Sequence, residues 1–542
     1  MTSAVHRMTS VTGPATSALQ SGGRRSRKKR LFTSSIFAAA LFLLQCAAFG
    51  QGAVSAEGLR CEYLVDPLGI DVEQPRLSWV LAASQRGQKQ SACQILVAST
   101  MASLEKDTGD LWDSKQVNSG DTAQVAYAGR PLTSGVQCYW KVRVWDAQGG
   151  ASGWSKPALW SMGLLREADW HGRFIGSERP AGVAQGTPLS FPWLRKTFLL
   201  PQKPQRATVY VNPLGYFELY VNGKKAGDHV LSPAVSDYSK RTFYLTYDVT
   251  GDLVAGSNCV ALWLGRGWYV RGHPGVIHDG PLVRAQMDIS LPDGTTEKVG
   301  TDETWKVRAS PIKPVGRGTA FGDYGGEHYD ASLELNNWNA VGLDDSDWPP
   351  AAVFNPPAVT ASAQMVQPNR IMQTLMAATV TEDAPGACLI DFGRNFVGWC
   401  ELPLPADTTA GRNIRLEYSD SRPSGGGFMT ANQRDEYVTR AGAGQVIRSR
   451  FNYHGFQYVH ITGLKQPPSP ADIKGCLDRS SYYTRVHGVV GRSCGCWSKA
   501  RIRKPFCRPR ETWTTASSPF FTRCMIVCRD TPRMRMASGM AT

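Results

Sequence analysis

The segment that decides the fold is residues 206–269, RATVYVNPLGYFELYVNGKKAGDHVLSPAVSDYSKRTFYLTYDVTGDLVAGSNCVALWLGRGWY. Apolar and polar residues alternate in 208–211 and again in 217–221, which is the pattern of half-buried strands. The Asn-Gly dipeptide at 222–223 follows, and it is typical of tight two-residue hairpins. A continuous apolar run at 260–264 predicts a strand buried on both faces. The segment therefore predicts an antiparallel β-sandwich.

Predicted strands also precede this segment. Residues 138–146 form a long alternating strand, and the Gly-rich turn residues of 147–153 follow it. This pattern is typical of a fibronectin type III or immunoglobulin-like sandwich, in which we expect Trp79 and Trp140 to be core residues.

Further predicted strands follow the central segment. Residues 387–391 form a strand that we expect to end in a turn at 392–395, and alternation returns in 413–418 and 458–462. His454 lies among these strands without an obvious catalytic partner, so we interpret it as structural.

The sequence thus predicts an all-β protein of tandem β-sandwiches with an irregular or disordered C-terminal tail. The predicted segments are a signal peptide with an N-terminal extension (1–56), a fibronectin III/immunoglobulin-like domain (57–165), a jelly-roll-like sandwich (166–355), a further β-sandwich (356–475) and a basic, Cys-rich tail (476–542).

The net charge of +15 is concentrated at the two ends of the chain. Residues 1–56 carry +7 and residues 485–542 carry +10, which leaves −2 for residues 57–484. A nearly neutral body has no basic surface for phosphate backbones, so nucleic acid is not an expected partner.

The N-terminal region has the organisation of an export signal. A basic cluster at 24–30 precedes the apolar run 31–49, and small residues close the segment with a candidate cleavage site at 54–56. The alternative is a transmembrane anchor, because the run is nearly as long as a bilayer is thick. We expect a secreted or periplasmic protein with no membrane association beyond the signal peptide; lipoprotein anchoring at Cys46 is not expected because Gln45 is atypical of that motif.

The cysteines of the body are scattered, with spacings that fit neither a disulfide framework nor a zinc site. We expect them to be buried free thiols, and we predict no metal and no other cofactor.

Several phrases of the sequence resemble the N-terminal accessory region of bacterial α-L-rhamnosidases, the family 78 glycoside hydrolases. The resemblance covers roughly residues 57–475 and implies that the third β-domain (356–475) is concanavalin-like. The phrases, in order, are LGYFELYVNGKKAGDHVLSPAVSDYSKRTFYLTYDVT, LGRGWY, TDETWKV (301–307), GEHYDASLE (326–334), DDSDWPPA (344–351), DFGRNFVGW (391–399) and FNYHGFQYVHITG (451–463).

Jelly-roll-like sandwiches, such as the one predicted for residues 166–355, often bind carbohydrate through aromatic faces and a few polar side chains. We therefore predict that Tyr216, Asn222, Asp237 and Trp268 contact rhamnose-containing glycans, although each is also compatible with a purely structural role. An Asp in the Ser-Asp-Tyr segment at 236–238, for example, commonly caps a turn.

The resemblance implies inverting hydrolysis of terminal α-L-rhamnosides by two carboxyl groups on an (α/α)6 barrel that follows the β-domains in this family. Residues 476–542 are poor in acidic residues and show no amphipathic helical pattern, so we predict no catalytic residue. We interpret this tail as out of frame; a genuine cationic extension and a small folded module are the alternatives.

We therefore predict the N-terminal portion of an exported α-L-rhamnosidase-like hydrolase that is inactive alone. The alternative is a stand-alone carbohydrate-binding or adhesion protein built from the same sandwiches.

Overall fold

The structure is a computed structural model, and it describes residues 54–184, 187–316, 324–422 and 428–480. These residues form β-sheets almost throughout, which confirms the predicted all-β class. The predictions for the signal peptide before residue 54 and for the tail after residue 480 lie outside the described residues.

The strands follow one another in chain order. The first ten are β1 (Val54–Cys61), β2 (Arg76–Ala83), β3 (Gln90–Ala98), β4 (Trp112–Asp113), β5 (Val125–Ala126), β6 (Gln137–Asp146), β7 (Ala158–Ser161), β8 (Phe174–Gly176), β9 (Pro192–Leu200) and β10 (Arg206–Leu214). The next ten are β11 (Tyr216–Val221), β12 (Lys224–Lys225), β13 (Arg241–Asp248), β14 (Gly256–Gly265), β15 (Leu282–Ser290), β16 (Thr296–Gly300), β17 (Lys306–Ala309), β18 (Ile312–Val315), β19 (Gly326–Asp330) and β20 (Ala352–Phe354). The last nine are β21 (Thr360–Ala363), β22 (Asn369–Met376), β23 (Thr379–Ala384), β24 (Ala387–Pro403), β25 (Asn413–Ser419), β26 (Arg434–Val438), β27 (Val446–Ile447), β28 (His454–Thr462) and β29 (Lys474–Ser480).

Helical structure in the described residues is limited to short pieces. They are the α-helix α1 (Met101–Glu105) and the 3-10 turns Glu167–Asp169, Thr250–Asp252 and Ala331–Leu333.

The first sandwich packs the three-stranded sheet β1-β2-β5 against the four-stranded sheet β4-β3-β6-β7. Trp79 and Trp140 are buried in the core between these sheets, as the sequence predicts. Strand β1 already begins at Val54, and both Val54 (2% exposed) and Ala56 (5% exposed) are core residues. Cleavage after Ala56 would therefore remove part of a core strand.

The second sandwich packs a seven-stranded sheet, with the path β20-β8-β15-β10-β13-β21 and β16 paired to β15, against the sheet β12-β11-β14-β9-β17. Its core joins Val209 of one sheet to Leu262 of the other. The predicted hairpin is present between β11 and β12, where Val221 pairs with Lys224. Asn222 (φ 50°) and Gly223 (φ 84°) supply the two positive φ angles that this tight turn requires.

The third region is a single ten-stranded sheet with the path β18-β19-β26-β25-β28-β24-β29-β22, to which β23 and β27 add on β24. The predicted turn at 392–395 is wrong, because β24 continues through it to Pro403 with a register shift between Asp391 and Phe396. Phe392 and Phe396 are both buried in the core of this region, and their rings meet edge to face at 5.5 Å. The bulge absorbs the local irregularity while the aromatic packing keeps the chain extended.

Two chain segments interleave the second and third regions. Strands β18 and β19 precede residue 355 but belong to the third sheet, whereas β21 follows it and pairs in parallel with β13 of the second sandwich. Strand β29 carries the third sheet to Ser480, past the predicted end of that domain. Consecutive stretches of sequence are therefore shared between neighbouring sheets.

Seven cysteines of the described residues are buried free thiols, in agreement with the sequence interpretation. Burial raises the pKa of Cys138 to about 12 and that of Cys388 to about 11, so these thiols remain protonated and unreactive near neutral pH.

We predict that Gly326→Ala destabilises the third sheet. A Cβ atom at Gly326 would lie 1.6 Å from the carbonyl oxygen of Arg434, where β19 pairs in parallel with β26. The backbones would have to separate, and we expect the free energy of unfolding to fall by about 1–3 kcal/mol in urea denaturation.

Gly455→Ala in β28 of the same sheet is the matched control, because a Cβ atom there meets nothing within 4 Å. Equal unfolding midpoints for the two variants would contradict the close approach at Gly326.

Candidate functional site

The second sandwich and the third sheet meet in an aromatic junction, which consists of Trp193, Trp263, Trp338 and Phe451. Trp193 and Trp263 are paired residues on β9 and β14, and Trp338 stacks on Trp193 with ring centroids 4.8 Å apart. Phe451 lies just before β28 and meets Trp263 edge to face at 6.0 Å. Gly265 permits this approach, since a Cβ atom there would lie 2.2 Å from the Phe451 ring.

A buried ion pair crosses the same junction. Arg450 donates to the Glu218 carboxylate of β11, and the Arg450 guanidinium lies 4.2 Å from the centroid of the Trp263 ring. Glu218 also accepts hydrogen bonds from the Tyr220 hydroxyl at 2.6 Å and from Lys225 Nζ at 2.8 Å. Both carboxylate oxygens of Glu218 thus have charged or hydroxyl donors.

These contacts determine the protonation of Glu218. Burial opposes its ionisation, but Arg450, Lys225 and the Tyr220 hydroxyl outweigh burial and lower the pKa of Glu218 from 4.5 to about 2. Because the folded-state pKa lies below the unfolded one, the pair contributes stability that is present above pH 4.5 and is lost as the pH falls toward 2.

A second buried network lies on the third sheet beside this ion pair. The Glu327 carboxylate accepts hydrogen bonds from the backbone N–H groups of Arg450 at 2.8 Å and Phe451 at 2.6 Å. Asp435 Oδ1 accepts from the Glu327 backbone N–H at 2.9 Å, and His454 Nε2 lies 3.1 Å from Asp435 Oδ2. The Glu327 side chain therefore fixes the backbone that presents Arg450 and Phe451 to the second sandwich.

Burial and the nearby Asp435 carboxylate raise the pKa of Glu327 to about 8. Burial alone would also raise the pKa of Asp435, but the charge and hydrogen bond of His454, with further donors, lower it. The Tyr418 hydroxyl donates to Asp435 at 2.7 Å, and Ser449 donates to the same oxygen. His454 is thus the partner of a buried carboxylate, and its structural role stays an interpretation.

The network of Glu327, Asp435 and His454 stabilises the interior of the third region. Glycoside hydrolysis uses two carboxyl groups that face each other across a substrate cleft. Glu327 (3% exposed) and Asp435 (5% exposed) instead lie in the interior, and the two carboxylates are engaged with backbone and side-chain donors. Their chemistry is that of a polar core.

Two of the predicted carbohydrate-binding residues come together at the edge of the aromatic junction. Tyr216 is buried at the start of β11, and the half-buried Trp268 indole lies close to the hydroxyl groups of both Tyr216 and Tyr453. Gly267, at φ 50°, allows the loop to pass the Tyr216 ring, since a Cβ atom there would lie 2.9 Å from it.

The other two predicted residues are engaged in local hydrogen bonds. The Asn222 amide donates to the Asp252 carbonyl at 2.8 Å and accepts from the Cys259 N–H at 2.8 Å. Asp237 lies in an exposed turn, where it accepts from the Ser239 hydroxyl at 2.6 Å and pairs with Lys240 at 3.1 Å. Carbohydrate binding by the four residues stays a prediction.

Asp478 is a residue of this region that the sequence analysis missed. It is buried on β29 near Tyr216 and Tyr453, and its Oδ1 has no hydrogen-bond partner among the described residues. Burial raises the pKa of Asp478 to about 7. A single Asp in a short strand carries no sequence signal that distinguishes it from a surface residue.

No group of three or more His, Cys, Asp or Glu side chains in the described ranges could hold a metal ion. None of the helices in the same ranges combines the length and apolarity that crossing a membrane requires.

These features define a class of protein in which consecutive β-sandwiches share buried junctions. Three family models match in chain order: the Rha78A-like N-terminal immunoglobulin domain (56–166), the α-L-rhamnosidase N-terminal domain (202–373) and the bacterial α-L-rhamnosidase concanavalin-like domain (381–477). The chain belongs to the bacterial α-L-rhamnosidase family, of which it carries these N-terminal β-domains.

Individual relatives agree with this assignment. An α-L-rhamnosidase of Formosa agariphila is 32% identical over 452 residues, covering 76% of this chain and 46% of that protein. The structure of the Dictyoglomus thermophilum α-L-rhamnosidase is 32% identical with a TM-score of 0.72, covering 79% of this chain and 49% of that one. The Streptomyces avermitilis α-L-rhamnosidase, solved in complex with L-rhamnose, is 25% identical with a TM-score of 0.71, covering 79% and 58%.

The chain spans about half the length of the curated relatives that it matches. The matched part is the N-terminal β-region, and the described residues contain no helical barrel.

We predict that Arg450→Met destabilises the junction strongly, because the variant leaves the Glu218 carboxylate buried without its main counter-charge. Breaking one side of a buried ion pair costs about 3–5 kcal/mol, and urea unfolding followed by tryptophan fluorescence measures the loss.

Lys465→Met is the matched control, since Lys465 pairs with Asp407 on the surface of the third region with both side chains exposed. An exposed pair of this kind is worth about 0–1 kcal/mol. If the two variants lost the same stability, Arg450 would not have the role assigned to it.

Proposed function

We propose that this chain is the N-terminal portion of an exported α-L-rhamnosidase-like hydrolase. The observation that carries the proposal is the match of all three β-domains, in family order, from residue 56 to residue 477. The reaction of such an enzyme is the hydrolysis of terminal α-L-rhamnosides, so rhamnose-containing glycans are the proposed substrates.

We further propose that the β-domains described here are a scaffold and do not cleave glycosides by themselves. Cleavage needs one protonated and one ionised carboxyl group beside the scissile bond. The buried carboxylates of the junction are instead held by internal donors: Glu218 by Arg450, Glu327 by backbone N–H groups, and Asp435 by side chains. Their arrangement supports a role in fixing the relative positions of neighbouring domains.

We predict that the purified chain releases no p-nitrophenol from p-nitrophenyl α-L-rhamnopyranoside above a buffer blank, because the buried carboxyl groups of the described residues are held by internal donors. The measurement is absorbance over time at several pH values, with an active α-L-rhamnosidase as the positive control. Turnover above the blank that persists through repeated purification would overturn the scaffold proposal.

Carbohydrate binding without hydrolysis is the second candidate function. The half-buried Trp268 beside Tyr216 and Asp478 favours it, because an aromatic ring next to polar groups can hold a sugar. Saturable binding of L-rhamnose in calorimetry that Trp268→Ala removes would support this candidate, and a flat titration at millimolar sugar would exclude it.

We also propose that the protein is secreted or periplasmic and that its mature N-terminus lies at or before Val54. Val54 and Ala56 pair with Ala83 and Leu81 of β2, and both are buried. N-terminal sequencing of the exported protein tests this position, and a mature chain beginning at Glu57 would contradict it.

A further inference from the structure

An open cleft lies on the outer face of the second sandwich, and none of the four residues of the aromatic junction lines it. It has a volume of about 650 Å³, a size typical of small-ligand sites. Its floor crosses three adjacent strands and consists of Arg284 on β15, Asn212 on β10 and Thr242 on β13. The rim comes from the segments 164–167, 239–240 and 356–361.

The floor is polar although it is buried. The opposite face of the same strands carries the apolar core, so alternation brings these polar residues to the cleft side. Asn212 pairs in register with Arg284, and its amide donates to Thr242 Oγ1 at 3.1 Å and to the Phe243 carbonyl at 2.8 Å. Asn212 Oδ1 accepts a long hydrogen bond of 3.4 Å from the Thr242 hydroxyl, and the fully buried Asn212 side chain thereby supports the cleft surface from below.

Arg284 is the reason to regard the cleft as a binding site. Its side chain is 6% exposed, and its guanidinium lies 4.2 Å from the centroid of the Trp170 ring. The Nη atoms donate to the exposed Glu167 carboxylate, but Nε has no hydrogen-bond partner among the described residues. A buried guanidinium N–H without an acceptor is costly, and a bound oxyanion or hydroxyl would satisfy it.

The charges of the cleft favour an anion. Arg166, Lys240 and Arg284 line it, against Glu167 as the acidic residue of the lining. Asp237 pairs with Lys240 from outside the cleft, and an exposed pair of this kind contributes little and exchanges readily. Counting Asp237 as well, the cleft keeps an excess of one positive charge.

We propose that this cleft binds an acidic oligosaccharide, with a uronate carboxylate at Arg166 and Lys240 and a sugar hydroxyl at Arg284. Trp170 supplies the apolar wall that sugar-binding sites use beside their polar groups. The proposal goes beyond the function proposed above, since a binding titration tests it whether or not the chain hydrolyses rhamnosides.

The experiment titrates the full chain with tri-galacturonic acid and, separately, with its methyl ester, which has the same sugar skeleton without the charges. We expect saturable binding of the acid, at least about tenfold weaker binding of the ester, and weaker binding of the acid as NaCl is raised. No saturable binding of the acid, or equal affinity for acid and ester, would overturn the proposal.

Variants then locate the binding. Arg166→Gln combined with Lys240→Gln changes two exposed residues, and we expect affinity for the acid to fall about tenfold or more. Lys465→Gln, an exposed lysine paired with Asp407, is the matched control and should bind like the unaltered chain. Unchanged affinity in the double variant, or equal affinity for sodium sulfate in place of the sugar acid, would assign the binding to another surface or to simple anion attraction and would refute the proposal.

Discussion

The ion pair between Glu218 and Arg450 is the interaction on which the junction between the second sandwich and the third sheet depends. Removing two opposite charges from water is costly, and geometry and extra hydrogen bonds must compensate for it. Lys225 and the Tyr220 hydroxyl supply those bonds to Glu218, and the Trp263 ring covers Arg450. The junction therefore tolerates little rearrangement. A small separation of the two regions would break the contact between Glu218 and Arg450 before water could solvate the two charges.

Hydrogen bonds within the third sheet position Arg450 for its ion pair with Glu218. The backbone N–H groups of Arg450 and Phe451 donate hydrogen bonds to the Glu327 carboxylate. The backbone N–H of Glu327 in turn donates to the Asp435 carboxylate. The second and third regions are thus connected by shared strands and by a buried ion pair.

Local patterns predicted most of the fold. The alternation in 208–211 and 217–221 and the Asn222-Gly223 hairpin are present as expected, since neighbouring residues decide them. The expected turn at 392–395 failed because Phe392 and Phe396 are held in a distant core, which local turn propensity does not include. The exchange of β18, β19 and β21 between sheets likewise depends on contacts far apart in sequence.

The residues of the candidate site were harder to predict from the sequence than the fold. Tyr216 and Trp268 are neighbours in the structure, whereas Asn222 and Asp237 are engaged by their own turns. Glu218, Glu327 and Asp478 gained their importance only through burial and through partners on other strands. No spacing rule joins residues that are brought together by packing of separate sheets.

Hydrogen exchange followed by mass spectrometry is the measurement that tests the central claim most directly. If the buried ion pair unites the two regions, the amides of β14 in the second sandwich and of β28 in the third sheet should open together, with one common free energy. Rapid exchange in β28 while β14 stays protected would show that the regions open independently, and it would contradict the account.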